Sequence, residues 1–147
     1  MKRNLRLSAI TLFFATVIVS CSKDDKTTAT GITAAQVNTL IVDGTWDVSL
    51  YNEAGVDQVS DFSGYTFDFN TDGSLVATGP AEKIGTWNST TDSGKVKIPI
   101  AFETETDGPF ESISDDWFVL TATDQKIELK HISGGDGSED FLTFEKN

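Results

Sequence analysis

The sequence predicts an all-β domain of about eight antiparallel strands that form an up-and-down barrel, preceded by a short N-terminal helix. From residue 44 onwards, apolar and polar residues alternate with a period of two, as in strands with one face in solvent. Short turns rich in Gly, Asn, Asp and Ser separate these segments and leave no room for crossover helices. An open sheet of this kind has two exposed edges, and closure into a barrel removes both.

The N-terminus predicts a signal peptide at 1–20. Three basic residues precede an apolar run at 7–19, which is too short to span a bilayer as a helix. The polar, small-residue-rich segment that follows is expected to be a flexible tether at 21–32. The remaining 33–147 is long enough for one hydrophobic core, so a single domain is predicted.

Cys21 is the only cysteine, so it cannot form an intramolecular disulfide. Ile18-Val19-Ser20-Cys21 resembles a bacterial lipobox, which implies cleavage before Cys21 and acylation, with palmitate for example, of its sulfur and amino group. An ordinary signal peptide with an incidental cysteine is the alternative. Ser22-Lys23-Asp24-Asp25 resembles the signal of surface-exposed Bacteroidetes lipoproteins. Together they imply an outer-membrane lipoprotein at the cell surface, with a periplasm-facing anchor as the alternative.

The charge of the chain excludes some partners. The formal net charge is −12, and it becomes −15 once the three basic residues of the predicted signal peptide are removed. Such a domain repels phosphate backbones and anionic lipid head groups. We therefore expect no nucleic-acid binding, and membrane association only through the N-terminal acyl chains.

The predicted elements follow in order. Thr33 and Gln36 have the spacing of a capping box, and an apolar stripe then predicts one to two helical turns that end at Asp43 and Gly44. The clearest strands are those with alternating apolar residues: Trp46, Val48 and Leu50; Tyr65, Phe67 and Phe69; Val96, Ile98, Ile100 and Phe102. Turns are expected at 70–73, 92–94, 123–125 and 133–138, and a bulge or unpaired edge at Pro99.

Gly44-Thr45-Trp46, at the start of the first strand, resembles the Gly-x-Trp signature of lipocalins. The segments GTWDVS, FDFNTDGSL, IGTWNST, KIELK and LTFEKN are together similar to lipocalin-like domains of Bacteroidetes lipoproteins, and the resemblance covers 44–147. It implies that Trp46 lies across the closed end of the barrel and packs against Lys146, which replaces the usual arginine. The Thr-Asp-Tyr motif of the family is matched only by Thr123-Asp124, before Gln125.

The barrel interior is the candidate binding site. Its expected lining residues are all aromatic: Trp46, Tyr65, Phe67, Phe69, Trp87, Phe102, Phe118 and Phe144. A cavity lined in this way favours a small apolar ligand through desolvation. The alternative is that the rings fill the barrel, which then serves as a surface recognition module for a protein or glycan through acidic loops and exposed aromatics such as Tyr51 and Phe110.

The sequence predicts neither an enzyme nor a cofactor or metal site. It has no second histidine, no Gly-x-Ser-x-Gly motif and no phosphate loop. The acidic pairs 115–116 and 139–140 consist of neighbours that point to opposite faces of a strand. His131 shares a face with Ile127 and Leu129 and could hold haem or a metal from inside, but it lacks a partner ligand. The oxygen-rich segment 133–140 departs from EF-hand spacing, so a flexible hairpin is predicted there.

Overall fold

The computed structural model describes residues 31–135 and 137–147, and the predictions for the signal peptide, for Cys21 and for the tether up to residue 30 lie outside the described residues. The described elements are α1 (Ala34–Ile41), β1 (Thr45–Glu53), β2 (Val56–Asp57), a 3₁₀ turn (Val59–Phe62), β3 (Thr66–Phe69), β4 (Ser74–Thr78), β5 (Lys83–Trp87), β6 (Thr90–Asp92), β7 (Lys95–Ala101), α2 (Pro109–Ser112), β8 (Asp116–Ala122), β9 (Lys126–Ile132) and β10 (Glu139–Lys146).

Eight of these strands form a closed antiparallel barrel, which confirms the predicted fold class. The strands follow the order β1-β3-β4-β5-β7-β8-β9-β10, and β10 pairs with β1 to close the sheet. The closing ladder runs from Trp46 opposite Lys146 to Asn52 opposite Phe141. The two remaining strands, β2 and β6, form short hairpins with β1 and β7.

Helix α1 covers one end of the barrel. Its predicted capping box is confirmed: the hydroxyl of Thr33 accepts a hydrogen bond from the Gln36 amide, and the Gln36 side chain accepts one from the Thr33 amide. Trp46 attaches the helix to the barrel, because its Nε1 donates a 2.7 Å hydrogen bond to the Ile41 carbonyl. Ile32, the last residue of the predicted tether, is buried in the core and therefore belongs to the domain.

The 3₁₀ turn and α2 cover the opposite end. Phe62 from the turn, and Phe110 and Ile113 from the α2 segment, are all buried there. The hydroxyl of Ser114 fixes α2 to the end of β7: it donates a 2.6 Å hydrogen bond to the Phe110 carbonyl and accepts one of 2.9 Å from the Phe102 amide. Both ends of the barrel are therefore covered.

Two β-bulges decide which residues of β1 and β8 face inwards. In β1 the register shifts between Val48 and Leu50, so that Tyr51 is buried whereas Leu50 is 43% exposed. The prediction that Leu50 shares the inner face with Trp46 is therefore wrong. In β8 a similar shift between Val119 and Thr121 turns Ala122 inwards.

Strand β7 changes partners along its length. Its first residues, Lys95 to Lys97, pair with β6, and Ile100 and Ala101 pair with β5. Pro99 lies between these two ladders, and its carbonyl accepts a hydrogen bond from the Asn88 amide. A residue without an amide hydrogen is therefore placed where the ladder on the β5 and β6 side is interrupted, whereas on the other side Pro99 pairs with Asp116 of β8.

Candidate functional site

Aromatic rings fill the centre of the barrel. Trp46, Phe67, Phe69, Phe102 and Phe144 are each at most 1% exposed. The ring of Phe144 lies 5.3 Å from those of both Phe67 and Phe69, measured between centroids and in edge-to-face geometry. Such separations are contact distances for aromatic pairs, so these rings pack against each other.

Phe110 completes this packing at the α2 end. Its ring centroid lies 4.9 Å from those of Tyr65 and Phe102, 5.6 Å from that of Phe62 and 6.0 Å from that of Phe67. The prediction that Tyr51 and Phe110 are exposed is wrong, because the bulge turns Tyr51 inwards and α2 places Phe110 inside the barrel end. Both residues therefore belong to the core.

Seven of the eight predicted interior aromatics lie in or at the edge of the core. Tyr65 is half-buried beside Phe110, and Trp87 lies near α1 with 7% of its surface exposed. Phe118 does not join them. It lies half-buried on the outer wall, because its neighbours Trp117 and Val119 take the two inward positions of β8.

Lys146 lies beside Trp46 at the α1 end of the barrel. Its Nζ is 5.9 Å from the centroid of the Trp46 ring and donates a 2.7 Å hydrogen bond to the Asp43 carboxylate. This is the packing that the resemblance to lipocalins implied for the two residues. An ammonium group next to an indole is attracted by the ring electrons, and the carboxylate holds it in place.

His131 lies between two carboxylates at the α2 end of the barrel. Its Nε2 is 3.3 Å from an oxygen of Asp115, and its Nδ1 is 3.3 Å from an oxygen of Asp140. Asp140 also accepts a 2.8 Å hydrogen bond from the Ala54 amide. Since each ring nitrogen faces a different acidic side chain, the histidine joins the α2 segment to β10.

The two members of each predicted acidic pair point in different directions, although Asp115 and Asp140, one from each pair, both face His131. In the second pair, Asp140 faces inwards to His131, whereas Glu139 points outwards to Lys130. Across 31–135 and 137–147, the His, Cys, Asp and Glu side chains form no group of three or more that could hold a metal ion. Within the described residues, Glu139 is thus paired with Lys130, and Asp140 contacts His131.

Tyr51 is the one described group whose pKa is strongly perturbed. Burial raises the pKa of its phenol, and the negative charge of Glu53 raises it further. The hydroxyl donates a 3.3 Å hydrogen bond to the Ser112 carbonyl in α2. The phenol thus remains neutral and connects β1 to the element that covers the barrel end.

On the outer wall of the barrel, lysine side chains surround an aromatic ring. Phe118 lies between Lys97 on β7 and Lys130 on β9, directly opposite both in the strand register. The ammonium group of Lys97 is 4.6 Å from the centroid of the Phe118 ring. The sequence contains a signal for this arrangement, because the alternation of Lys95 and Lys97 with Val96 and Ile98 places both lysines on the outer face.

Among the described residues, no helix is both long and apolar enough to cross a membrane. Comparisons with protein-family models, with curated proteins and with solved structures give no match to this chain.

Proposed function

We propose that this chain is an outer-membrane lipoprotein, anchored by acyl chains on Cys21, whose lipocalin-like barrel is non-catalytic and recognises a protein or glycan partner through its outer surface. Of the two functions expected from the sequence, the packing of the interior favours this one over the binding of an apolar ligand.

The contact between Phe144, Phe67 and Phe69 carries the proposal. The three rings meet at the centre of the barrel and are at most 1% exposed, so they occupy the volume that a ligand would need. The 3₁₀ turn and α2 close one end with Phe62 and Phe110, and α1 covers the other. A barrel of eight strands has room for either side chains or one small ligand, and here the side chains take it.

The anchor rests on the sequence. A basic N-terminus, an apolar run of signal length and the lipobox-like residues 18–21 together support acylation of Cys21. Several acyl chains, each contributing about 0.8 kcal/mol per buried methylene, hold a protein firmly on a membrane. Labelled palmitate should appear on the wild-type chain and not on Cys21→Ala, and label on the variant would contradict the anchor.

Native mass spectrometry of the protein from its own host tests the filled barrel. We expect the mass of the polypeptide and its acyl group, with nothing further bound. Phe144→Ala is the positive control, because removal of a central ring leaves a dry cavity that can admit benzene. Benzene should raise the melting temperature of this variant alone. A copurified apolar molecule, or an equal response of the wild type to benzene, would overturn the proposal.

A further inference from the structure

A groove of about 480 Å³ runs along the outer wall of the barrel. We call it the Phe118 groove; it is lined by Lys95, Phe118, Leu120, Lys130 and Ile132, among others, and Lys97 lies beside it over the Phe118 ring. It lies where β7 and β8 separate: within the described residues their register pairs end at Lys97 opposite Phe118. The hairpin of β6 and β7 therefore forms one side of the groove, and the faces of β8 and β9 form the other.

Cationic groups gather around this groove. The Nζ atoms of Lys97 and Lys95 lie 4.6 and 5.5 Å from the centroid of the Phe118 ring, and Lys130 is opposite Phe118 on β9. These are three of the six lysines between residue 31 and the C-terminus, a segment without arginine in a chain of net charge −12. The groove is therefore the place on an acidic surface where an anionic partner meets several ammonium groups.

The lysines have carboxylate neighbours that a partner can replace. Lys97 lies 3.2 Å from Asp92 and 3.7 Å from Asp116, and Lys130 contacts Glu139. The three carboxylates lie at the surface, with about half of each side chain exposed. The side chains of Lys97 and Lys130 are only 18% and 23% exposed, so a carboxylate of a partner reaches their ammonium groups by taking the place of one of these exposed carboxylates.

Apolar side chains separate the cations. Leu120 is 40% exposed and Ile132 is 45% exposed, and the ring of Phe118 is half-buried between the lysines. Aliphatic surface of this kind is stabilised by contact with apolar side chains, whereas a hydroxyl-rich sugar leaves its own polar groups without partners there. The groove thus favours a partner that carries both carboxylates and apolar groups.

We propose that the Phe118 groove binds an extended acidic segment of a protein partner, in which two carboxylates flank an apolar side chain. The proposal rests on the proposed function, surface recognition by a filled barrel. Neighbouring strands lie about 4.8 Å apart, which places the backbones of Lys97 and Lys130 about 10 Å apart. Alternate residues of an extended peptide share one face, so acidic, apolar and acidic side chains at i, i+2 and i+4 span about 13 Å. The side chains of Lys97 and Lys130 are long enough to cover the difference between the spacing of their backbones and the length of this peptide segment.

The test is a titration of the isotope-labelled Cys21→Ala chain with the peptide Gly-Glu-Ser-Phe-Ser-Glu-Gly, followed by NMR of the backbone amides. We expect shifts confined to β7, β8 and β9 around Phe118, and weaker binding as salt is added. A peptide with Gln in place of both Glu should bind about tenfold more weakly, since both ion pairs are lost. Absence of shifts, or shifts on another face, would overturn the proposal.

Matched variants locate the site. Lys97→Gln combined with Lys130→Gln should weaken peptide binding about tenfold. Lys83→Gln combined with Lys126→Gln changes the net charge equally but removes ion pairs to Glu105 and Glu128 outside the groove, so its binding should equal that of the wild type. Equal losses of peptide affinity in both double variants would mean that only the net charge matters, which would overturn the proposal.

The same titration separates this inference from the proposed function. A trimer of galacturonic acid that binds the groove more tightly than the peptide would replace the peptide with a glycan and leave surface recognition intact. If mass spectrometry shows an empty barrel and the peptide does not bind the groove, the groove proposal is overturned and the proposed function is not. A ligand inside the barrel removes the proposed function, whatever the groove binds.

Discussion

Lys146 covers Trp46 from the last strand of the barrel, with its Nζ 5.9 Å from the centroid of the indole ring. Gly44 makes this position accessible. A Cβ atom on Gly44 would lie 2.7 Å from Cε of Lys146, and the backbone there has φ of +92°. The glycine of the Gly-Thr-Trp motif thus leaves space for the lysine that packs on the tryptophan.

Gly44→Ala should therefore lower the free energy of unfolding by about 1–2 kcal/mol through its left-handed backbone alone. Its methyl group also displaces Lys146, so Lys146→Ala should cost less in this background than in the wild type. Urea denaturation of the double-mutant cycle measures this coupling. Gly64→Ala is the control, because it has φ of +80° and no neighbouring atom within 4 Å. Strictly additive effects of Gly44→Ala and Lys146→Ala would contradict the contact.

Gly85→Ala should destabilise the barrel by steric overlap. A Cβ atom there would lie 2.5 Å from the carbonyl oxygen of Ala101 and 2.9 Å from the ring of Phe102. The backbone oxygen cannot rotate away, so we expect a loss of about 2–3 kcal/mol in the free energy of unfolding. Gly134→Ala, with no atom within 4 Å, should change it by less than about 0.5 kcal/mol. A neutral Gly85→Ala would show that β5 and β7 separate easily.

Phe110→Ala should be among the most damaging substitutions, because it removes the ring around which Phe62, Phe102 and Phe67 pack. We expect a loss of about 3–5 kcal/mol, measured by chemical denaturation. Phe118→Ala removes the same atoms from the outer wall and should cost about 1 kcal/mol. Similar losses for the two variants would contradict the assignment of one ring to the core and the other to the surface.

Tyr51 predicts a loss of stability in alkaline solution. Burial raises the pKa of its phenol in the folded state above the value of about 10 in the unfolded chain. The neutral phenol therefore favours folding, and its contribution is complete below pH 10 and declines as the pH rises further. Unfolding measured between pH 8 and 12, a range of about four units chosen to bracket that value, should show this decline.

Tyr51→Phe should make the free energy of unfolding less dependent on pH in this range. It also removes the hydrogen bond to Ser112, which contributes about 1 kcal/mol. Tyr65→Phe retains Tyr51 and should keep the decline unchanged. An alkaline decline of equal slope in Tyr51→Phe would mean that other groups are responsible.

Local patterns in the sequence predicted most of the barrel and missed the features that depend on distant contacts. The capping box at Thr33 and the strand with alternation from Val96 to Phe102 could both be predicted, because each depends on residues that are close in sequence. The bulge that exposes Leu50 was not, since it depends on the register between β1 and β10.

Phe118 shows that alternation does not always predict which face of a strand is buried. The run Trp117, Phe118, Val119, Leu120 is apolar at every position, so alternation cannot say which face is buried. The four-residue helix α2 was missed because its stability comes from Phe110 packing inside the barrel, although Gly108 and Pro109 are a recognisable start signal. The Phe118 groove was not predicted for the same reason, because Phe118 was expected to point into the barrel.

The pairing of β1 with β10 means that the final strand completes the ring, and the amide of Asn147 donates a hydrogen bond to the Thr45 carbonyl at its very end. The barrel cannot close before β10 has been made, because β10 is the partner of β1. A chain terminated prematurely before β10 would leave β1 and β9 with bare edges and recruit other copies into aggregates.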